Sequence, residues 1–212
     1  MSNDFHPPSR KMVKHYDNGE PHFLTFSCYR RLPLFSKDQS RQWFVEAMKD
    51  ARKSHGFHLW AWVIMLEHVH VLLWPPFDRI SPDPRSTQGR IKGILGSLKR
   101  PVGIKAIAFL RDDAADFLER LTVRNANRID HRFWQAGSGH DENVSEAASL
   151  QALVECIHLN PVRRGLVSRP EDWPWSSARD WFGLPDSRLT TDRTLPETIE
   201  IPWTTRNPDR RD

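Results

Sequence analysis

The stretch EHVHV places His68 and His70 two residues apart inside the apolar run HVHVLLW. On an extended strand alternate side chains share a face, so both imidazoles project to the same side. Two imidazoles on one face suit a single divalent metal. Without a partner they would be costly in such apolar company. The plainer reading is a polar strand face, because a chain with 10 histidines produces a His-x-His pair readily by chance. A carboxylate, Glu67, stands just before the pair. Further on, VECIHLNPVRRGLV (154–167) carries Cys156 and Asn160 four residues apart, stacked one turn above the other if the segment is helical. The apolar stripe of that helix is Leu150, Leu153, Val154 and Ile157. Cys156 and Asn160 fall together on one flank of it and His158 on the other. A third ligand for the histidine pair would come either from Asn160 with Cys156 or from His158 alone, and spacing leaves both open.

Positioning these groups requires a sheet and helices. HFLTFSCY (22–29) reads as a strand. Ser36 and Gln39 form a capping-box pattern before Trp43, Phe44, Ala47, Met48 and Ala51 at helical spacing, and Gly56 supplies the stop. FHLWAWVIMLEHVHVLLWP reads as two strands, 57–65 and 68–74, turning near Leu66 and Glu67. Residues 76–89 read as a loop. A helical period then runs from Gln88 to Leu121, broken or kinked at Pro101. DHRFWQAGSGHDEN (130–143) reads as a short strand and a Gly-rich turn. Asn143 with Glu146 is expected to cap a helix that ends at Asn160, ahead of Pro161. The order strand, helix, strand, strand, helix, strand, helix predicts an α+β, ferredoxin-like split βαβ fold: an antiparallel sheet with helices packed on one face. Residues 1–20 read as a basic flexible arm, 21–183 as one domain, and 184–212 as a poorly ordered tail.

A chain of 212 residues with 38% hydrophobic content can bury one proper core. Lys and Arg number 31 against 27 Asp and Glu, and the cations cluster beside apolar anchors in YRRLPLF (29–35), KGILGSLKRPVGIK (92–105) and NPVRRGLVSR (160–169). Clusters of this kind favour polyanion partners, against a plainer reading as solvated helix faces. Nine Trp and 11 Phe suit a core or stacking on bases. Two cysteines make no disulfide framework, and the longest apolar run, LWAWVIML, is too short to cross a bilayer. A reducing, cytoplasmic setting with no membrane partner is the expectation.

Four motifs in order, MLEHVHVLLWP, SLKRPV, RFWQAG and IHLNPVRRGLV followed by PEDWPWSSA, resemble the single-tyrosine transposases of the HUH class (His–hydrophobic–His). Within that class the chain is most similar to the REP-associated tyrosine transposases, over residues 20–183. The resemblance implies metal-dependent cleavage and rejoining of single-stranded DNA beside a small hairpin. It implies His68, His70 and Asn160 as ligands of Mg²⁺ or Mn²⁺, which would polarise the scissile phosphate. It also implies a tyrosine nucleophile that forms a 5′-phosphotyrosyl link and frees a 3′-OH; the link retains the bond energy, so no ATP is needed.

The family's tyrosine lies one helical turn before the asparagine, and that position is Cys156 here. A thiolate is a good nucleophile, with Arg163 near in sequence, but the side chain is several ångströms shorter than tyrosine. Only Tyr16 and Tyr29 remain; Tyr29, beside Arg30 and Arg31, could approach DNA, and stacking or packing is its plainer role. Leu66 is a second departure, since the family usually has proline there. Two functions follow as expectations. One is a transposase-type endonuclease with an unexpected nucleophile. The other is a catalytically inactive relative that holds hairpin or single-stranded DNA. In both, Arg30, Arg31, Lys92, Lys99, Arg100, Arg163 and Arg164 neutralise phosphates and Trp134 stacks on a base. A metal-dependent hydrolase with Glu67 as base is a third. The sequence leaves monomer and homodimer equally open.

Overall fold

Alternation along the first strand organises the molecule. In the computed structural model, which describes residues 20–75, 84–125, 128–137, 139–144 and 146–195, strand β1 (His22–Ser27) turns Leu24 and Phe26 to one face and Phe23 and Thr25 to the other. Helix α1 (Asp38–His55) follows, then β2 (His58–Ile64), β3 (His68–Trp74) and the long helix α2 (Pro84–Asp113). A short α3 (Ala115–Glu119) leads to a hairpin of β4 (Thr122–Asn125) and β5 (Arg128–His131). Strand β6 (His140–Asn143), helix α4 (Ala147–Arg163) and a last turn, α5 (Ala178–Trp181), complete the order. The main sheet runs β2-β3-β1-β6 and every neighbouring pair is antiparallel. That is the ferredoxin-like arrangement.

Register decides what each face carries. Thr25 sits opposite His70 and Ser27 opposite His68, while Val63 of β2 pairs with His70 from the other side. The face bearing Leu24 and Phe26 is covered by α1 and α2: Phe44 meets Phe26 at 5.8 Å and Phe35 at 5.9 Å between ring centroids, and Ile91, Ile94, Leu98 and Val102 of α2 are buried. The opposite face, bearing Phe23, Thr25, His68 and His70, is covered by α4. Helices on one face therefore describes α1 and α2 only. The central strands are apolar on both sides, and the second side also needs a cover.

Local expectations shift where burial outweighs a local signal. Helix α1 starts at Asp38 and has no side-chain cap. Phe35 is fully buried with its N–H on the Leu66 carbonyl at 2.9 Å, which fixes the approach to the helix beyond Ser36. Pro101 does not break α2: buried Leu98 before it and Val102 after it hold one face in place. Pro161 does not stop α4 either. It lies in the last turn, where it removes a single backbone bond, and the helix runs on to Arg163 before Gly165 turns away at φ 66°. Asn143 belongs to β6 rather than to a cap, and its amide donates to Glu20 at 3.2 Å.

The expected tail from residue 184 is in part a strap on β2. Asp192 N–H donates to the Leu59 carbonyl at 2.8 Å, and Leu59 N–H returns a bond to the Asp192 carboxylate at 2.8 Å. The indole N–H groups of Trp60 and Trp62 donate to Thr194 Oγ1 and the Leu189 carbonyl. The reason is that β2 is an edge strand whose unpaired backbone must be covered; Ser176, bridged to Val63, covers its other end. The loop expected over 76–89 is helix from Pro84 onward, the first turns of α2; the expectations for residues 1–19, 76–83 and 196–212 fall outside the described residues.

Asp192 ties the strap to both Leu59 and Arg52. Asp192→Ala leaves that N–H without its acceptor and the guanidinium with only the Thr190 carbonyl, and is expected to lower stability by about 1–3 kcal/mol in urea unfolding. Asp192→Asn keeps an acceptor for Leu59 and should cost less; equal stability of all three proteins would show that the strap contributes nothing.

Candidate nucleic-acid cleft

The two imidazoles of β3 lie 4.7 Å apart between centroids, nearly edge to face at 77°. Each is held at Nδ1. His70 Nδ1 is 2.7 Å from the Thr25 hydroxyl across the β1–β3 register, and His68 Nδ1–H donates to Glu67 Oε1 at 3.2 Å. The Phe23 ring stacks on His70 at 5.4 Å. With Nδ1 engaged, Nε2 is the ring nitrogen that would meet a cation, and outer partners of this kind fix ring orientation at metal sites.

Glu67 is committed to this role. Its carboxylate also accepts from Arg164 at 2.9 Å, and its backbone carbonyl accepts from Cys28 N–H at 2.8 Å. The hydrogen bond from His68 above all, aided by the charge of Arg164, holds its carboxyl below the usual carboxylate range against the opposing effect of burial. A carboxylate kept ionised by two donors is a poor proton acceptor, so Glu67 positions its neighbours and makes a weak general base for a hydrolase.

Helix α4 presents the Cys156–Asn160 flank to the histidines. Cys156, Asn160 and Leu153 line a cleft of about 470 Å³ together with His68, His70, Thr25 and Phe23. His158 goes the other way: it is fully buried, 2.8 Å from Ser177 Oγ and edge-on to Trp181. Burial pushes its pKa down to about 3, so it is a neutral packing group between α4 and the segment that covers β2. The choice left open by spacing is thereby made by packing. Arg163 Nη1 donates to Cys156 Sγ at 3.3 Å, so this thiol has a cationic neighbour.

Other expected residues separate into several places. Arg31, Lys99, Arg163 and Arg164 rim the cleft. Arg30 and Arg31 sit at φ 53° and 52°, two successive residues in a region that L-residues with side chains seldom adopt. The Arg30 N–H donates to Gln135 Oε1 at 3.2 Å and the Arg31 N–H to the Cys28 carbonyl at 3.1 Å. This turn leaves Arg30 exposed beside the Tyr29 ring at 5.0 Å and brings Arg31 to the cleft. Tyr29 packs against the core and lines neither this cleft nor the groove along α2. Its ring is not beside the histidines. Lys92 and Arg100 lie in that second groove, and Lys99 borders both.

Trp134 is partly buried, packed against the core on one side and lining the groove along α2 on the other. Its ring meets Phe26, Phe35, Phe44 and Phe133 at 4.9–6.1 Å, and its indole N–H donates to the Lys99 carbonyl at 2.8 Å. Two contributors escaped the sequence reading. Thr25 signals itself only as a hydroxyl in an apolar strand. Gly139 has φ 83°, and a Cβ there would run into the Thr25 carbonyl oxygen; only glycine lets this turn close over β1 at the edge of the cleft.

No family model matches the chain. A protein of Haemophilus influenzae assigned as a REP-associated tyrosine transposase is 22% identical over 187 residues, spanning 84% of this chain and 96% of the relative. A solved REP-associated tyrosine transposase, determined bound to a REP hairpin, shares the fold with a TM-score of 0.53 at 22% identity, covering 91% of this chain and 98% of that one. In the order of its motifs and in the topology of its sheet, the chain is similar to the REP-associated tyrosine transposases.

Proposed function

We propose that this protein binds hairpin-forming or single-stranded DNA in the cleft between the His68–His70 face and α4, as a transposase-like protein whose strand-cleavage site lacks its tyrosine. The observation that carries this reading is one cationic cleft lined by His68, His70, Asn160 and Cys156, with the cysteine where the resemblance expects a tyrosine. The relative solved with a REP hairpin supports hairpin DNA as the partner.

The donor set fits a hard divalent ion that keeps open positions. Among the described residues no group of three or more His, Cys, Asp or Glu side chains could hold a metal. His68 and His70 would therefore be completed by Asn160 and by water or phosphate oxygens, as suits Mg²⁺ or Mn²⁺. Such an ion would polarise the scissile phosphate. The chain's own residues then have distinct tasks. Arg163 and Arg164 draw the phosphate backbone to the end of α4, and Glu67 and Thr25 hold the imidazoles in place. The thiol of Cys156 is the group nearest the vacated role. Its contact with Arg163 keeps cleavage by cysteine as a second reading. The shorter reach argues against it, so binding with an unarmed site is the better account. A cytoplasmic setting belongs to this reading; among the described residues no helix is long and apolar enough to cross a membrane.

With Mn²⁺ and a hairpin oligonucleotide, Cys156→Tyr is expected to cut the strand and form a denaturant-stable covalent adduct, whereas the wild type binds without cutting. Cleavage by the wild type would overturn the unarmed-site account, and mapping the adduct would name the nucleophile. Asn160→Ala should weaken Mn²⁺ binding, read by calorimetry, by roughly 10-fold or more; unaltered affinity would remove Asn160 from the ligand set. Arg163→Ala with Arg164→Ala should weaken DNA binding and flatten the dependence of log affinity on log salt by about 1–2. An unchanged slope would place the phosphate path elsewhere.

A further inference from the structure

The hairpin of β4 and β5 stands apart from the main sheet, and one of its edges is open. Along an antiparallel ladder, hydrogen-bonded and non-bonded residue pairs alternate. Arg132 N–H donates to the Leu121 carbonyl at 2.9 Å, and the same register pairs Thr122 with His131, Val123 with Asp130, Arg124 with Ile129 and Asn125 with Arg128. The backbones of Arg128 and Asp130 therefore face β4, and those of Ile129 and His131 turn to the other side. Among the described residues no backbone group bonds to Ile129 or His131 there. The edge strand β2 of the main sheet, by contrast, is covered by Asp192 and Ser176. An open edge is commonly blunted by charge, and β5 is charged, but with one residue of each sign. Arg128 and Asp130 lie on one face of the strand and form an ion pair at 2.6 Å. Ile129, on the opposite face, is 60% exposed.

We propose that β5 is a docking edge for a second copy of this chain, the two β5 strands pairing antiparallel about a two-fold axis at Ile129. A two-fold interface is self-complementary, so the strand must match its own reversed sequence. Backbone and charge together select the register. Outward-facing backbones must meet each other, which puts the axis at a residue rather than between two. An axis at Arg128 or at Asp130 would set that residue against its own copy, like charges directly opposed. An axis at His131 would need the backbone of Phe133, whose carbonyl already accepts from Tyr29 N–H at 2.8 Å. With the axis at Ile129, the two copies of that residue exchange N–H to carbonyl bonds and their exposed side chains cover one another. Each Arg128 then stands across from the Asp130 of the other copy, in the pairs where side chains approach closest. A strand of 4 residues gives an interface under about 1,200 Å², the size of weak and transient association, so the dimer forms with concentration. It leaves both clefts open, because no residue of β5 lines them.

The test is sedimentation equilibrium of the full chain, without DNA, over a concentration series. The wild type should show a reversible monomer–dimer equilibrium. Ile129→Pro removes the outward N–H and leaves the bonds to β4 intact, and should weaken dimerisation about 10-fold or more. Arg128→Asp alone and Asp130→Arg alone each place like charges opposite one another and should weaken it by about the same factor. An equimolar mixture of these last two variants makes every opposed pair opposite in sign again, so it should form a one-to-one heterodimer about as tight as the wild-type dimer. Thermal unfolding followed by circular dichroism checks that each variant folds, and the mixture carries the test if the proline variant does not. A wild type that stays monomeric throughout the series would overturn the proposal. So would single charge variants that dimerise like the wild type, or a mixture that associates no better than its components.

Discussion

The pairing of β1 with β3 is the constraint on which the rest depends. Because strand side chains alternate, one register puts Phe26 and Leu24 toward α1 and α2 and, at the same stroke, puts Thr25 against His70 and Ser27 beside His68. A slip of one residue would exchange the faces, sending the imidazoles into the phenylalanine cluster and the phenylalanines into the cleft. The cost of burying two imidazoles is met on the spot. Thr25 and Glu67 each take one Nδ1, and Phe23 covers one ring.

From that register the cleft is closed by two further ties. Arg164, just beyond the end of α4, reaches Glu67 in the β2–β3 turn at 2.9 Å, which locks the helix end to the strand that bears the histidines. His158, one flank round from Asn160, is buried against Ser177, whose hydroxyl also accepts from Trp62 N–H at 2.9 Å. The helix is thus held on both flanks, one by an ion pair at the rim and one by a neutral polar contact in the interior. Rotation of α4 would break both, so Cys156 and Asn160 have little freedom to turn from the cleft. Gly139 adds the opposite wall, because its missing side chain permits contact with the Thr25 backbone.

Electrostatics divides the surface into paired and unpaired regions. Around the edges Arg169 binds Asp172 and Lys105 binds Glu46, so these charges are largely spent on neighbours. Exposed pairs of this sort contribute little to stability. In the groove along α2, Lys92, Arg100, Arg111 and Arg132 lack such neighbours among the described residues, and Lys99, which also borders the cleft, lies over Phe26 and Trp134 with its pKa drawn down by burial. Net charge says little about this protein; the distribution of unpaired charge says more.

Several parts were legible in the residues alone, because they depend on local periodicity. The period-two run across His68 and His70 put both on one face, the period of 3.6 put Cys156 over Asn160, and the element order implied the antiparallel sheet. The absence of a tyrosine one turn before Asn160 is a matter of sequence too. What only the tertiary structure decided was which flank of α4 meets the histidines, since both flanks are equally periodic and only packing of His158 against Ser177 distinguishes them. It also decided that Pro101 and Pro161 stay inside helices, where buried neighbours outweigh a missing bond, and that residues 189–194 cover an edge strand. The aromatic packing around Trp134 was not legible for the same reason: a bare sequence shows a ring's chemistry, but which partners meet it is a property of contacts between segments far apart in the chain.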